Sequence, residues 1–207
     1  MKLPNELKKA ISELPSEEKD KLIFRLLRKD EVLTNRLLFE LVSDKTVEEA
    51  RNEVKKDIIR MIEHSTKYFY SPGCLREDVG SMSGAITEHT AITKDKYGEI
   101  SLNLFMITEV LQRNRENIMK STPQKAKKFC TAVIARAFKI LILIKKLHED
   151  YRIEFAEDLE KFGTLISDIP YLADAATVNG FNTKWLLNIP DDIELIHKDI
   201  REQGLLC

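Results

Sequence analysis

Apolar residues recur every three or four positions along most of this chain. Within the first 43 residues, Leu33, Leu37 and Leu41 lie four apart, and residues 22–27 place leucines and an isoleucine on one side of another segment. This spacing is typical of amphipathic α-helices. The pattern predicts three short helices at residues 1–43, which we interpret as an N-terminal subdomain.

A longer periodic segment follows between Thr46 and Tyr70. Thr46 is a suitable N-terminal cap, and Glu49, three residues later, can complete a capping box in which each side chain accepts from the other residue's backbone N–H. Residues 44–207 are predicted to form the main helical domain. This domain is either separate from residues 1–43 or continuous with them.

Residues 129–144 are the most apolar segment, with 13 apolar residues among 16. Arg136 and Lys139 interrupt it. A membrane-spanning helix needs about 20 predominantly apolar residues, and a central charge is costly. We therefore interpret the segment as part of a buried core helix that runs from Thr122 to about Asp150, and we expect no membrane span.

Composition supports a helical fold. The chain has 7 glycines and 6 prolines among 207 residues, whereas average usage would give roughly 14 and 10. Few helix-breaking residues favour long helices over many short strands. The sequence predicts an all-α protein, either an antiparallel helical bundle or a short helical-repeat superhelix, built around the long central apolar helix.

Cysteine usage and the N-terminus bear on location. Cys74, Cys130 and Cys207 form no CxxC pair, and the first residues contain no apolar stretch of the kind found in signal peptides. These features are typical of reduced thiols in a cytoplasmic protein.

Charge is distributed unevenly although the net charge is only −1. Residues 117–148 contain eight basic residues and no acidic one, whereas residues 149–207 contain five basic and thirteen acidic residues. A strongly positive segment is thus followed by a strongly negative one. This contrast is the most informative feature of the chemistry of the chain.

Lys128, Arg136, Lys139 and Lys146 recur at intervals of 8, 3 and 7 residues, which places them on one side of the predicted core helix. We call these four residues the basic strip. It has two interpretations: an anion-facing surface for nucleic acid, phosphate or an acidic partner, or a set of charges neutralised internally by the carboxylates of residues 149–160. The aromatic residues of this segment fall on its apolar side, so base stacking is not supported.

The acidic residues Glu154, Glu157 and Glu160 are spaced one helical turn apart. Helical nucleotide pyrophosphohydrolases bind Mg²⁺ with an ExxE pair and an ExxD pair on a second helix. Here the only ExxD, Glu17 to Asp20, lies far upstream at a predicted helix start. We therefore expect no metal cofactor, and we keep Mg²⁺ at these three glutamates as the alternative.

Four segments of the chain carry a resemblance: LPNELKKAISELPSEEKDKLIFRLLRKD (3–30), YSPG (70–73), SGAITEHTAITKDKYGEISLNLFM (83–106) and KKLHEDYRIEF (145–155). They resemble a group of uncharacterised all-helical bacterial proteins that are sometimes labelled dUTP nucleotidohydrolases. The resemblance implies an all-α fold and a bacterial source, and its label implies a Mg²⁺-dependent nucleotide hydrolase. No catalytic motif of this chain accompanies it.

Three functional hypotheses follow. The leading one is a non-enzymatic helical interaction or scaffold protein that binds a protein partner or a second copy of itself, because no complete catalytic constellation is found. The alternative is a Mg²⁺-dependent all-α nucleotide hydrolase of the dUTP type. A further alternative is nucleic-acid binding through the basic helix at residues 120–146.

Overall fold

A computed structural model describes residues 3–206, and this part of the chain is all-helical, as the sequence predicts. Within it there are ten α-helices of nine or more residues, one four-residue helix, two short 3₁₀ helices and no β-strand. The α-helices are α1 (Asn5–Glu13), α2 (Ser16–Leu27), α3 (Glu31–Leu41), α4 (Val47–Lys67), α5 (Pro72–Thr93), α6 (Lys96–Lys120), α7 (Pro123–Lys145), α8 (Glu149–Arg152), α9 (Ala156–Asp168), α10 (Pro170–Val178) and α11 (Ile193–Glu202). The 3₁₀ helices are Ile153–Phe155 and Thr183–Leu186.

The described chain divides into two compact units. The first comprises residues 3–45 together with 91–93, and the second comprises residues 46–90 and 94–206. We refer to them as the N-terminal unit and the main unit. None of the described helices combines the length and the apolar content that crossing a membrane requires.

The N-terminal unit contains α1, α2 and α3. Asp30 begins α3 by accepting a hydrogen bond from the Leu33 backbone N–H at 2.9 Å. The Thr34 hydroxyl ties α3 to the end of α2 by donating to the Leu27 carbonyl at 2.7 Å. No residue of these three helices is fully buried.

The main unit begins at the capping box predicted at Thr46. The Glu49 N–H donates to the Thr46 hydroxyl at 3.1 Å, and the Thr46 N–H donates to the Glu49 carboxylate at 2.8 Å. Two backbone donors at the start of α4 are thereby satisfied. This prediction is confirmed.

The core of the main unit is concentrated on α6 and α7, which have twelve and eleven buried residues. Helix α7 packs against α6, α10 and α11, and α6 also packs against α4 and α9. Phe138 of α7 meets Phe181 edge to face, with ring centroids 4.9 Å apart. The two longest helices therefore fix the positions of the polar residues that face outward from them.

Helix α7 ends at Lys145, about five residues before the predicted end. The N–H groups of Lys146 and Leu147 donate to carbonyls three residues back, at 3.1 and 3.0 Å, which tightens the last turn. His148 then turns to extended backbone and caps α8. Ile153–Phe155 then forms a 3₁₀ turn before α9 begins at Ala156.

Asp95 is the polar junction of the main unit. Arg51 of α4 donates to both of its carboxylate oxygens, at 2.6 and 3.0 Å, and His89 Nε2 of α5 lies 3.2 Å from Asp95 Oδ2. Asp95 also caps α6 by accepting from the Gly98 N–H at 2.8 Å. A Cβ at position 98 would lie 1.9 Å from Asp95 Oδ2, so this close approach requires glycine.

Burial alone would raise the pKa of the Asp95 carboxyl. The hydrogen bonds from His89, Arg51 and the Gly98 N–H, together with the charge of Arg51, outweigh burial and lower this pKa from 3.8 to about 2. A carboxyl group whose pKa is lower in the folded state stabilises the fold above its unfolded pKa. That stability is lost as the pH falls towards the folded pKa.

We therefore predict that Asp95→Asn lowers the free energy of unfolding at neutral pH by about 2 kcal/mol. The difference between the variant and the wild type should shrink as the pH falls from 3.8 towards about 2, because in that window the unfolded chain binds a proton at Asp95 while the folded carboxylate stays ionised. Urea denaturation at several pH values measures both effects.

Asp57→Asn is the control, because Asp57 forms an exposed ion pair with Arg60 on the same helix. Its loss should change stability by less than about 1 kcal/mol. A pH-independent difference between Asp95→Asn and the wild type would contradict the role assigned to Asp95.

Candidate functional site

A cavity of about 500 Å³ lies against α7 in the main unit. Three residues of the basic strip, Lys128, Arg136 and Lys139, line it, and Arg76 of α5 adds a fourth cation. We call this the cationic pocket. Thr131, Ala132, Ala135 and Leu206 complete its lining.

Helical geometry explains the lining from α7. Residues 128, 132, 135 and 139 follow spacings of four, three and four, so they lie along one face. The small side chains of Ala132 and Ala135 leave space in the middle of this face, and longer basic side chains lie at both ends. The opposite face of α7 is apolar and buried in the core.

Arg136 is the most buried cation of the pocket. Its Nη1 donates to Asn103 Oδ1 at 2.9 Å, while its Nε is buried and has no hydrogen-bond partner among the described residues. Burial lowers the pKa of the Arg136 guanidinium, but an arginine side chain remains charged in proteins. A half-buried positive charge is therefore held by a neutral amide.

Asn103 is itself fixed by α6. Its side chain is 1% exposed, and its Nδ2 donates to the Glu99 carbonyl at 2.7 Å, one turn earlier. This bond orients the amide so that Oδ1 faces Arg136. Asn103 thus positions the guanidinium of Arg136 at the pocket.

Only one cation of the pocket has a carboxylate partner among the described residues. Lys139 Nζ lies 3.1 Å from Glu99 Oε1. No ion pair or hydrogen bond of the Lys128 or Arg76 side chain is found within residues 3–206. The pocket therefore combines four positive charges with one carboxylate.

Lys146, the fourth residue of the basic strip, lies outside the pocket. Its Nζ is 3.0 Å from Glu194 Oε1, and the neighbouring Lys145 pairs with Asp191. Internal neutralisation thus occurs at the C-terminal end of α7, and the carboxylates come from residues near α11. Glu149 and Asp150 are two of the carboxylates that were considered as partners of the basic strip. They pair with Arg152 and His148, at 3.8 and 3.1 Å.

The three glutamates considered for Mg²⁺ are all exposed. Glu154 lies in the 3₁₀ turn, whereas Glu157 and Glu160 belong to α9. Burial raises the pKa of Tyr97, and Glu154 raises it further through a hydrogen bond and its charge. Within residues 3–206, no three histidine, cysteine, aspartate or glutamate side chains are grouped as a metal site would require.

Arg76 and Asn103 are two polar residues of this site that the sequence did not indicate. Arg76 lies 52 positions before Lys128 on a different helix, and no periodicity links them. Asn103 has a detectable signal, since an amide within the apolar stretch Ile100–Ile107 is unusual in a buried helix. Its partner could not be inferred without the packing of α6 on α7.

Comparison of the chain with protein-family models, with curated proteins and with solved structures found no match in any of the three. The functional assignment therefore depends on the residues of the chain itself.

We predict that Asn103→Leu lowers the free energy of unfolding by about 1–3 kcal/mol, because it removes the acceptor of a half-buried guanidinium. Arg136→Met in the Asn103→Leu background should cost less than Arg136→Met alone. Urea denaturation of the four proteins of this double-mutant cycle measures the coupling between the two residues. Losses that simply add would show that the bond between Asn103 and Arg136 does not stabilise the protein.

Proposed function

We propose that this protein is a non-enzymatic helical interaction protein, and that it associates with a second copy of itself through its N-terminal unit. The observation that supports this proposal is the exposure of large apolar side chains in α1–α3 and the residues next to them. We call them the N-terminal apolar surface: Leu3, Leu7, Ile23, Phe24, Leu26, Val32, Leu33, Leu38, Leu41 and Val42.

Burial differs sharply between the two units. Every fully buried apolar side chain of the described residues lies in the main unit, and the helices of the N-terminal unit have none. A segment of about 45 residues rarely builds a sufficient core alone. Contiguous exposed apolar surface marks sites of association, and the proposal takes these side chains to form one such surface.

The amount of exposed apolar surface is suitable for a protein interface. A standard interface buries about 800 Å² on each partner. Ten large apolar side chains, most of them about half exposed, offer an area of that order. Leu41 and Val42 are the most exposed of them, at 77% and 70%.

Charge favours a second copy as the partner. Residues 1–45 contain ten basic and nine acidic residues, so two copies would not repel each other. Several of these charges pair along their own helices, as Lys9 does with Glu13 and Arg36 with Glu40. An anionic membrane surface would instead favour an excess of basic residues.

The proposal includes an architecture for the main unit, in which the helices form an antiparallel array around α7. Contacts of α7 with α6, α10 and α11, and its eleven buried residues, support this arrangement. The proposal also includes a cytoplasmic location. The free thiols Cys74 and Cys130 are compatible with a reducing compartment.

We predict that Leu41→Glu raises the dissociation constant of a homodimer at least about tenfold, because an unpaired carboxylate is costly in an apolar interface. Sedimentation velocity over a range of concentrations measures this constant. Leu187→Glu is the matched control, since Leu187 is 70% exposed and belongs to the main unit. Its dissociation constant should match that of the wild type.

Two results would contradict self-association through this surface. One is a wild-type protein that stays monomeric at every concentration. The other is equal weakening by Leu187→Glu and Leu41→Glu, which would indicate a nonspecific effect of the added charge.

A further inference from the structure

We propose that the cationic pocket is a binding site for the phosphate dianion of a small ligand, either free phosphate or a phosphate monoester. This site belongs to the main unit and does not depend on association of the N-terminal unit. The proposal is based on the geometry and the unbalanced charge of Arg76, Lys128, Arg136 and Lys139.

The charge of the pocket matches a dianion. Four cations line it, and Glu99 neutralises only Lys139. Three positive charges therefore lack a carboxylate partner among the described residues. Basic side chains that converge on one cavity repel each other, and a doubly charged anion relieves this repulsion more than a carboxylate does.

The donor groups of the pocket match the chemistry of phosphate. Arginine provides planar forks of N–H donors, and lysine provides a compact ammonium group, both of which bind phosphate oxygens. Thr131, whose hydroxyl is a neutral donor, also lines this cavity. The bond from Arg136 Nη1 to Asn103 restricts the orientation of the guanidinium before a ligand arrives.

The size of the pocket favours a small molecule. Its volume of about 500 Å³ is within the range of about 300–1,000 Å³ that is usual for small-molecule sites. The apolar parts of the lining, Ala132, Ala135 and Leu206, leave room for a neutral group attached to the phosphate. A free phosphate would leave much of this volume to water.

A nucleic-acid strand fits the same helix less well. Three basic residues beyond the pocket are paired within the protein: Lys120 lies 3.3 Å from Glu116, Lys146 pairs with Glu194, and Lys145 pairs with Asp191. No aromatic side chain is among the residues that line the pocket, so bases have no stacking platform there. Lys125 and Lys127 of α7 are exposed and do not line the pocket, whereas the cavity brings four cations together.

Isothermal titration calorimetry of the full-length protein at constant ionic strength tests the proposal. Inorganic phosphate, phosphoserine and adenosine monophosphate are the ligands, and chloride is the reference anion. We expect saturable binding of one phosphate group per chain. Tighter binding of the esters would assign the site to phosphorylated small molecules, and equal binding would assign it to the phosphate group alone.

Arg76→Gln and Lys128→Gln are the test variants, because both side chains are exposed and unpaired among the described residues, and neither should be needed for folding. Each should weaken phosphate binding at least about tenfold. Lys125→Gln is the matched control, since Lys125 is an exposed lysine of α7 that does not line the pocket. Its affinity should stay within about twofold of the wild type. Circular dichroism verifies that each variant is folded.

Three outcomes would overturn the proposal. The first is no saturable binding of any of the three ligands to the wild type at millimolar concentrations. The second is binding that persists in the Arg76→Gln, Lys128→Gln double variant. The third is tighter binding of single-stranded or duplex oligonucleotides than of the monophosphates, with equal losses in Lys125→Gln and Lys128→Gln, which would indicate a nucleic-acid surface along α7.

Discussion

The Asp95 carboxylate joins three helices of the main unit, and the cationic pocket depends on this junction. It receives the guanidinium of Arg51 from α4, contacts His89 of α5, and caps α6 through the Gly98 N–H. Leaving any of these polar groups without a partner would destabilise the fold, because they are little exposed to water. Together they fix where α6 begins.

The start of α6 in turn determines the pocket. Glu99 lies four residues after Asp95, where it can pair with Lys139, and Asn103 lies one turn further, where it meets Arg136. A shift of α6 by one residue would rotate both side chains by about 100° and would remove the acceptor of the guanidinium. A buried polar junction thus controls the placement of charges on the neighbouring helix.

Much of the fold could be predicted because local sequence determines it. The Thr46 capping box, the apolar periodicity and the scarcity of glycine and proline all indicate helices without reference to tertiary contacts. The spacing of Lys128, Arg136 and Lys139 likewise places them on one side of α7, and the structure shows them in one pocket. Each of these features depends on residues that lie within a few helical turns of each other in the sequence.

The features that escaped prediction depend on long-range packing. Arg51 and Asp95 are 44 residues apart, and Asn103 and Arg136 are 33 residues apart. Neither pair has a sequence signature, because any buried acceptor and any nearby donor can form such a bond. The pairing of Lys146 outside the pocket also follows from packing, because its partner Glu194 belongs to α11, which packs against α7.

The two proposed sites differ in the force that would drive binding, and ionic strength can therefore distinguish them. Attraction between the cationic pocket and a phosphate is electrostatic at a partly exposed site, and added salt weakens it. Association through Leu41 and its apolar neighbours is driven by removal of apolar surface from water, which salts such as sulfate strengthen. Sodium chloride should therefore weaken phosphate binding without dissociating the dimer. An equal response of both interactions to salt would contradict this distinction. Either phosphate binding would not be mainly electrostatic, or self-association would not be mainly apolar.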